Sequence, residues 1–104
     1  MAFDLRGLTP LLQVYDMPAS VRFYRDGLGF AVVATSPILG EDRFRWGLLR
    51  LGNAELMLNT AHEFDHRPAK RDPVRTNAHD DTGLFFGCAN ADAGFAELRS
   101  KVLR

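Results

Sequence analysis

The chain has almost no cysteine, no net charge and no long apolar run, and each absence removes a class of protein. Cys88 is the only cysteine among 104 residues, which excludes an internal disulfide and fits the reducing cytoplasm. A lone cysteine of this kind is expected to serve as a small buried hydrophobe, not as a nucleophile. Basic and acidic side chains number 13 each, so there is no positive surplus to hold nucleic acid or an anionic membrane. No apolar stretch approaches the length of a transmembrane helix. The opening residues, MAFDLRGLTP, lack the basic start and apolar run of a signal peptide. There is no G-x-S-x-G nucleophile elbow. A glycine-rich phosphate loop is missing too, because Gly27 and Gly29 close a helix pattern instead of opening one.

What is present reads as alternating strand and helix signals. Leu8–Tyr15 is apolar apart from one glutamine and long enough for a strand. Asp16 is placed to cap a helix whose first turn tolerates Pro18. Val21, Tyr24 and Leu28 form one apolar stripe, with Arg22, Arg25 and Asp26 facing water. Three strand-like runs follow, Ala31–Thr35, Arg43–Leu51 and Ala54–Asn59, separated by turns at Ser36–Asp42 and Gly52–Asn53. Thr60–Asp81 is polar, with Pro68 and Pro73 and charges of both signs, and reads as a linker crossing the surface.

After the linker the pattern restarts. TGLFFGCANADAGFAELRSKVL repeats the order of LTPLLQVYDMPASVRFYRDGLGF: a strand at Leu84–Ala89, a cap at Asn90 or Asp92, then a helix. Setting Asn90 on Asp16 brings Phe95 onto Val21, Leu98 onto Tyr24 and Val102 onto Leu28. Three strands equivalent to Ala31–Asn59 do not follow. The expectation is one α+β domain: a β-α-β-β-β module over 1–61, a linker over 62–81, and a second module over 82–104 that stops after its helix. An uncovered sheet edge and bare apolar surface would then favour a homodimer.

This order resembles the vicinal oxygen chelate superfamily, which includes glyoxalase I, extradiol dioxygenases and bleomycin-resistance proteins. QVYDMPASVRFYRDGLGF looks like the family's strand, Asp, helix and "FY…LGF" opening, and LGNAELMLN looks like its fourth strand. The resemblance implies two modules whose sheets curl around a ligand cavity. Strand alternation then sorts the faces. Leu12, Val14, Leu49, Leu51, Leu56 and Leu58 go under the helices. Gln13, Tyr15, Phe44, Trp46, Glu55, Met57, Asn59, Leu84 and Phe86 go toward the cavity as candidate ligand-binding residues. The alternative for Phe44, Trp46 and Phe86 is that they are simply core.

The resemblance also implies where a divalent cation would sit in the metal-dependent members. The first-strand position falls on Thr9, the fifth-strand position on Leu84, and the fourth-strand position on Glu55 or Met57. Thr9 and Leu84 cannot act as the imidazole or carboxylate ligands expected there. No metal, other cofactor or catalytic residue is therefore assigned. His62-Glu63-Phe64-Asp65-His66 matches H-E-x-x-H, but Pro68 leaves at most two helical turns, and a chance match in a polar linker is the better reading. The favoured function is a non-catalytic protein of the bleomycin-resistance type, enclosing an aromatic or amphipathic small molecule in an apolar cavity. The competing readings are a metal-dependent glyoxalase-like lyase, isomerase or dioxygenase, and a non-enzymatic interaction module.

Overall fold

The computed structural model describes residues 3–60, 68–78 and 82–101. Four strands form one mixed, unclosed sheet in the order β1-β4-β3-β2, with β1 at Leu11–Gln13, β2 at Ala31–Thr35, β3 at Trp46–Leu51 and β4 at Ala54–Asn59. β1 runs parallel to β4, and β4, β3 and β2 follow one another antiparallel. Helix α1 (Met17–Arg22) continues into a π-helical turn at Phe23–Gly27 and crosses one face of the sheet. Helices α2 (Pro73–Asn77) and α3 (Ala91–Lys101) follow. No helix among the described residues is long and apolar enough to cross a membrane.

Local chemistry accounts for the element boundaries. Asp16 accepts a hydrogen bond from the Ala19 amide at 3.0 Å, satisfying one of the unpaired donors at the start of α1, with Pro18 in the first turn. The helical run ends at Gly27 with Leu28 as its cap, and the chain turns away at Gly29, whose φ of 93° is open only to glycine at low cost, while the Phe30 amide donates to Tyr24 O at 2.9 Å. Gly52, at φ 58°, opens the two-residue loop joining β3 to β4, the position where a tight hairpin favours glycine.

The core lies between α1 and the sheet. Val21, Leu49, Leu56 and Leu58 are fully enclosed, with Met17, Phe30 and Phe44 beside them and Leu12, Val14, Tyr24, Leu28 and Val32 at the margin. The predicted stripe of Val21, Tyr24 and Leu28 is thus the buried face of the first helix. Burying each large aliphatic side chain contributes about 1.5–3 kcal/mol. Tyr24 packs edge-on against Phe23 and Phe30, with centroids at 5.1 and 5.8 Å, and burial raises its hydroxyl pKa.

The second strand–helix unit departs from expectation. Its cap is the same device as the first: Asn90 Oδ1 accepts from the Ala93 amide at 2.9 Å and Asn90 O from the Gly94 amide at 3.1 Å. Asp16 treats Ala19 and Ser20 in the same way. However, Leu84–Ala89 joins no sheet, and α3 contributes no buried residue. Cys88 is consequently exposed and not core. The reason is energetic: without a ladder partner the segment has no pleat to sort its side chains, and the apolar ones stay outside.

Candidate ligand-binding site

The sheet face opposite α1 is built in rows by the strand register. Gln13, Asn59 and Trp46 lie side by side across β1, β4 and β3, then Leu11, Met57 and Leu48 in the next row, then Glu55 and Arg50. Trp46, Leu48, Met57 and Asn59 are half-buried, while Gln13 is exposed and Leu11 is 52% exposed. Alternation therefore placed Gln13, Trp46, Glu55, Met57 and Asn59 correctly on one face. Asn59 Oδ1 is buried and accepts no hydrogen bond from the described residues. A buried acceptor left without a donor costs about 1–3 kcal/mol.

At the far end of this face the expected metal positions meet. The Thr9 hydroxyl donates to Glu55 Oε1 at 3.0 Å, and Arg50 Nε donates to Glu55 Oε2 at 2.7 Å. Arg50, with Thr9 second, holds the Glu55 carboxyl below its ordinary pKa. Glu55 rather than Met57 is thus the residue level with Thr9, and both share the face. These residues do not fit a divalent cation: both carboxylate oxygens are engaged, and a guanidinium stands where the ion's positive charge would have to come. Glu55 is likewise not left over as a counter-charge for a cationic ligand. Leu84 brings no donor atom. The His62–His66 motif lies outside the described residues, and so does His79.

Four candidates sit elsewhere. Phe44 belongs to the helix-side core, 5% exposed, with its ring against Gly47. Arg45 and Trp46 both donate their amides to Ser36 Oγ at 3.1 Å. Consecutive strand amides point to opposite sides, so the chain is not regularly extended there and alternation cannot be counted back through Arg45. Tyr15 follows the end of β1, and its hydroxyl donates to the Pro68 carbonyl beside α1. Phe86 packs edge-on against Phe30, with centroids at 6.0 Å, at the rim of the helix-side core. Leu84 is 38% exposed on the unpaired segment.

Sequence reasoning missed a second concavity. A groove of about 480 Å³ lies between the β1–α1 corner and residues 71–75, walled by Tyr15, Ser20, Phe23 and Tyr24 with Arg71 and Arg75 opposite. The signal available was the local basic cluster in the linker, which the neighbouring aspartates made look like an ordinary solvated loop.

The architecture is that of an α+β fold whose curled, unclosed sheet has one helix-covered face and one half-apolar face. The model of the Glyoxalase/Bleomycin resistance protein/Dioxygenase superfamily matches residues 8–104, and the chain belongs to that superfamily. Among solved structures, it is similar to the bleomycin-binding protein of bleomycin-producing Streptomyces verticillus, complexed with copper(II)-bleomycin. The TM-score is 0.62 at 21% identity, covering 96% of this chain and 66% of that one. An integron cassette protein from the mobile metagenome of V. cholerae aligns with TM-score 0.55 at 19% identity, over 96% of this chain and 70% of that one. A virulence protein of Salmonella typhimurium aligns with TM-score 0.54 at 21% identity, over 94% and 70%. These likenesses show the fold, and the chain spans about two thirds of the length of the first of these structures. Comparison with curated proteins found no match.

Proposed function

We propose that the chain binds an aromatic or amphipathic small molecule on the open face of its sheet, as bleomycin-resistance proteins do, without metal chemistry at Thr9 and Glu55. The observation that carries this reading is the buried, donor-less Asn59 Oδ1 between Gln13 and Trp46. A ligand N–H or O–H would satisfy it, while Trp46, Leu48 and Met57 supply apolar area for a ring. The Glu55–Arg50 pair narrows the ligand, because its charges are already matched and recognition need not involve a cation. The solved relative that holds copper(II)-bleomycin supports the ligand class.

Further proposals attach to this reading. The edge of β1, which pairs with no strand beyond β4 among the described residues, the fully exposed Phe85 and the half-exposed Phe95 favour a homodimer in which these surfaces are covered. The single cysteine favours the cytoplasm. The test uses Trp46, the sole tryptophan. Its emission is titrated with metal-free bleomycin and with N-phenylnaphthylamine, an uncharged aromatic amine. Saturable change that weakens in Met57→Ala supports the proposal. Emission unmoved by either compound refutes it.

A further inference from the structure

The groove beside α1 has features that a solvated crevice lacks. It is held open by specific contacts: the Tyr15 hydroxyl donates to the Pro68 carbonyl, and the Arg71 guanidinium lies 5.7 Å above the Tyr15 ring. These tie the 68–72 segment to the end of β1. Its volume of about 480 Å³ lies within the range of small-molecule sites. Its walls are aromatic, from Tyr15, Phe23 and Tyr24, with the Ser20 hydroxyl among them.

The charges around it are unequal in availability. Asp16 and Asp72 also line the groove and keep their charge, but Asp16 accepts from the Ala19 amide at 3.0 Å and Asp72 from the Val74 amide at 3.0 Å, so each carboxylate is held at a helix start. Arg71 and Arg75 form no ion pair among the described residues, and Arg71 is engaged only by a ring face. Two guanidinia without an ion pair among the described residues, one of them over the Tyr15 ring, suit a planar ring that carries an acid group. The guanidinium fork binds carboxylate or sulfonate oxygens, and the rings stack on the remainder.

The geometry points to a second binding site in this groove, which adjoins the open sheet face at Gln13 and takes an aromatic acid with its anionic group on Arg71 and Arg75. The probe is anilinonaphthalene sulfonate, followed by its fluorescence gain, beside N-phenylnaphthylamine, which carries the same rings without the acid. Arg71→Gln and Arg75→Gln should each weaken sulfonate binding about tenfold and leave the uncharged amine unaffected. Ala19→Trp fills the groove from the exposed surface of α1 and should abolish the arginine-dependent part of sulfonate binding while the far-ultraviolet dichroism is retained. Met57→Ala, on the open face of the sheet, should leave that arginine-dependent part unchanged. Sulfonate affinity unaltered in both arginine variants would overturn the inference. So would equal losses for the two probes, or full binding in Ala19→Trp.

Discussion

Replacing Gly47 by alanine tests the core assignment of Phe44 with a change of one methyl group. A Cβ built on Gly47 would stand 2.7 Å from Phe44 Cε2, where ordinary contact begins at 3.4 Å. The ring would have to retreat by about 0.7 Å into a core already closed by Leu49, Leu56 and Leu58. Overpacking of this kind costs about 1–3 kcal/mol, and in a domain of this size each 1 kcal/mol lowers the melting temperature by about 4–8 °C. Gly47 is not among the residues with left-handed φ, so backbone strain does not contribute. Removing the ring should therefore reverse the sign. Phe44→Ala alone should cost about 3–5 kcal/mol. Adding Gly47→Ala to it should be neutral or should stabilise by up to about 1 kcal/mol, through the lower entropy of the unfolded chain. Urea unfolding of the four proteins in the cycle measures this. An equal cost for Gly47→Ala in both backgrounds, or no cost in the parent, would refute the placement of Phe44.

Asp16→Ala should lower stability by about 1 kcal/mol through loss of the cap on Ala19, and Asp16→Asn should keep most of it, measured by thermal unfolding. Asp42 sits at φ 56° and receives two hydrogen bonds from Arg25, at 2.7 and 3.0 Å. Asp42→Asn retains a residue tolerant of that backbone and should cost about 1 kcal/mol or less, with a salt dependence smaller than the parent's. For Glu55, the folded pKa is lowered by Arg50 and Thr9, so its stabilisation is present above the unfolded value and lost as pH falls through the folded one. The urea midpoint of the parent should exceed that of Glu55→Gln near neutrality, and the gap should close in acid.

Much of the first module is legible because its signals agree with one another. The Asp16 cap, the Val21–Tyr24–Leu28 stripe and the Gly29 turn each specify the same helix, and two-residue alternation sorted residues 46–50 and 55–59 correctly, while Leu51, expected under the helices, is 44% exposed at the hairpin end. Alternation failed where regular extension ends. Ser36 gathers two successive amides before β3, which puts Phe44 under the helix, and Tyr15 lies beyond the last residue of β1. The second unit shows the limit of local signals. Asn90 caps as Asp16 does, yet a strand exists only when another strand pairs with it, and Leu84–Ala89 has no such partner among the described residues. The groove escaped notice because it depends on Tyr15 meeting Pro68, a contact across 53 residues of chain that no pattern encodes.

The central claim, that ligand is held on the open sheet face, is tested most directly by the methionine methyl resonances. The chain has three methionines. Met57 lies in the middle row of that face, and Met17 is 3% exposed in the helix-side core. On titration of methyl-labelled protein with N-phenylnaphthylamine, the Met57 signal should shift along the same binding curve as Trp46 fluorescence, with Met17 unmoved. A saturating fluorescence change with Met57 stationary would contradict the account.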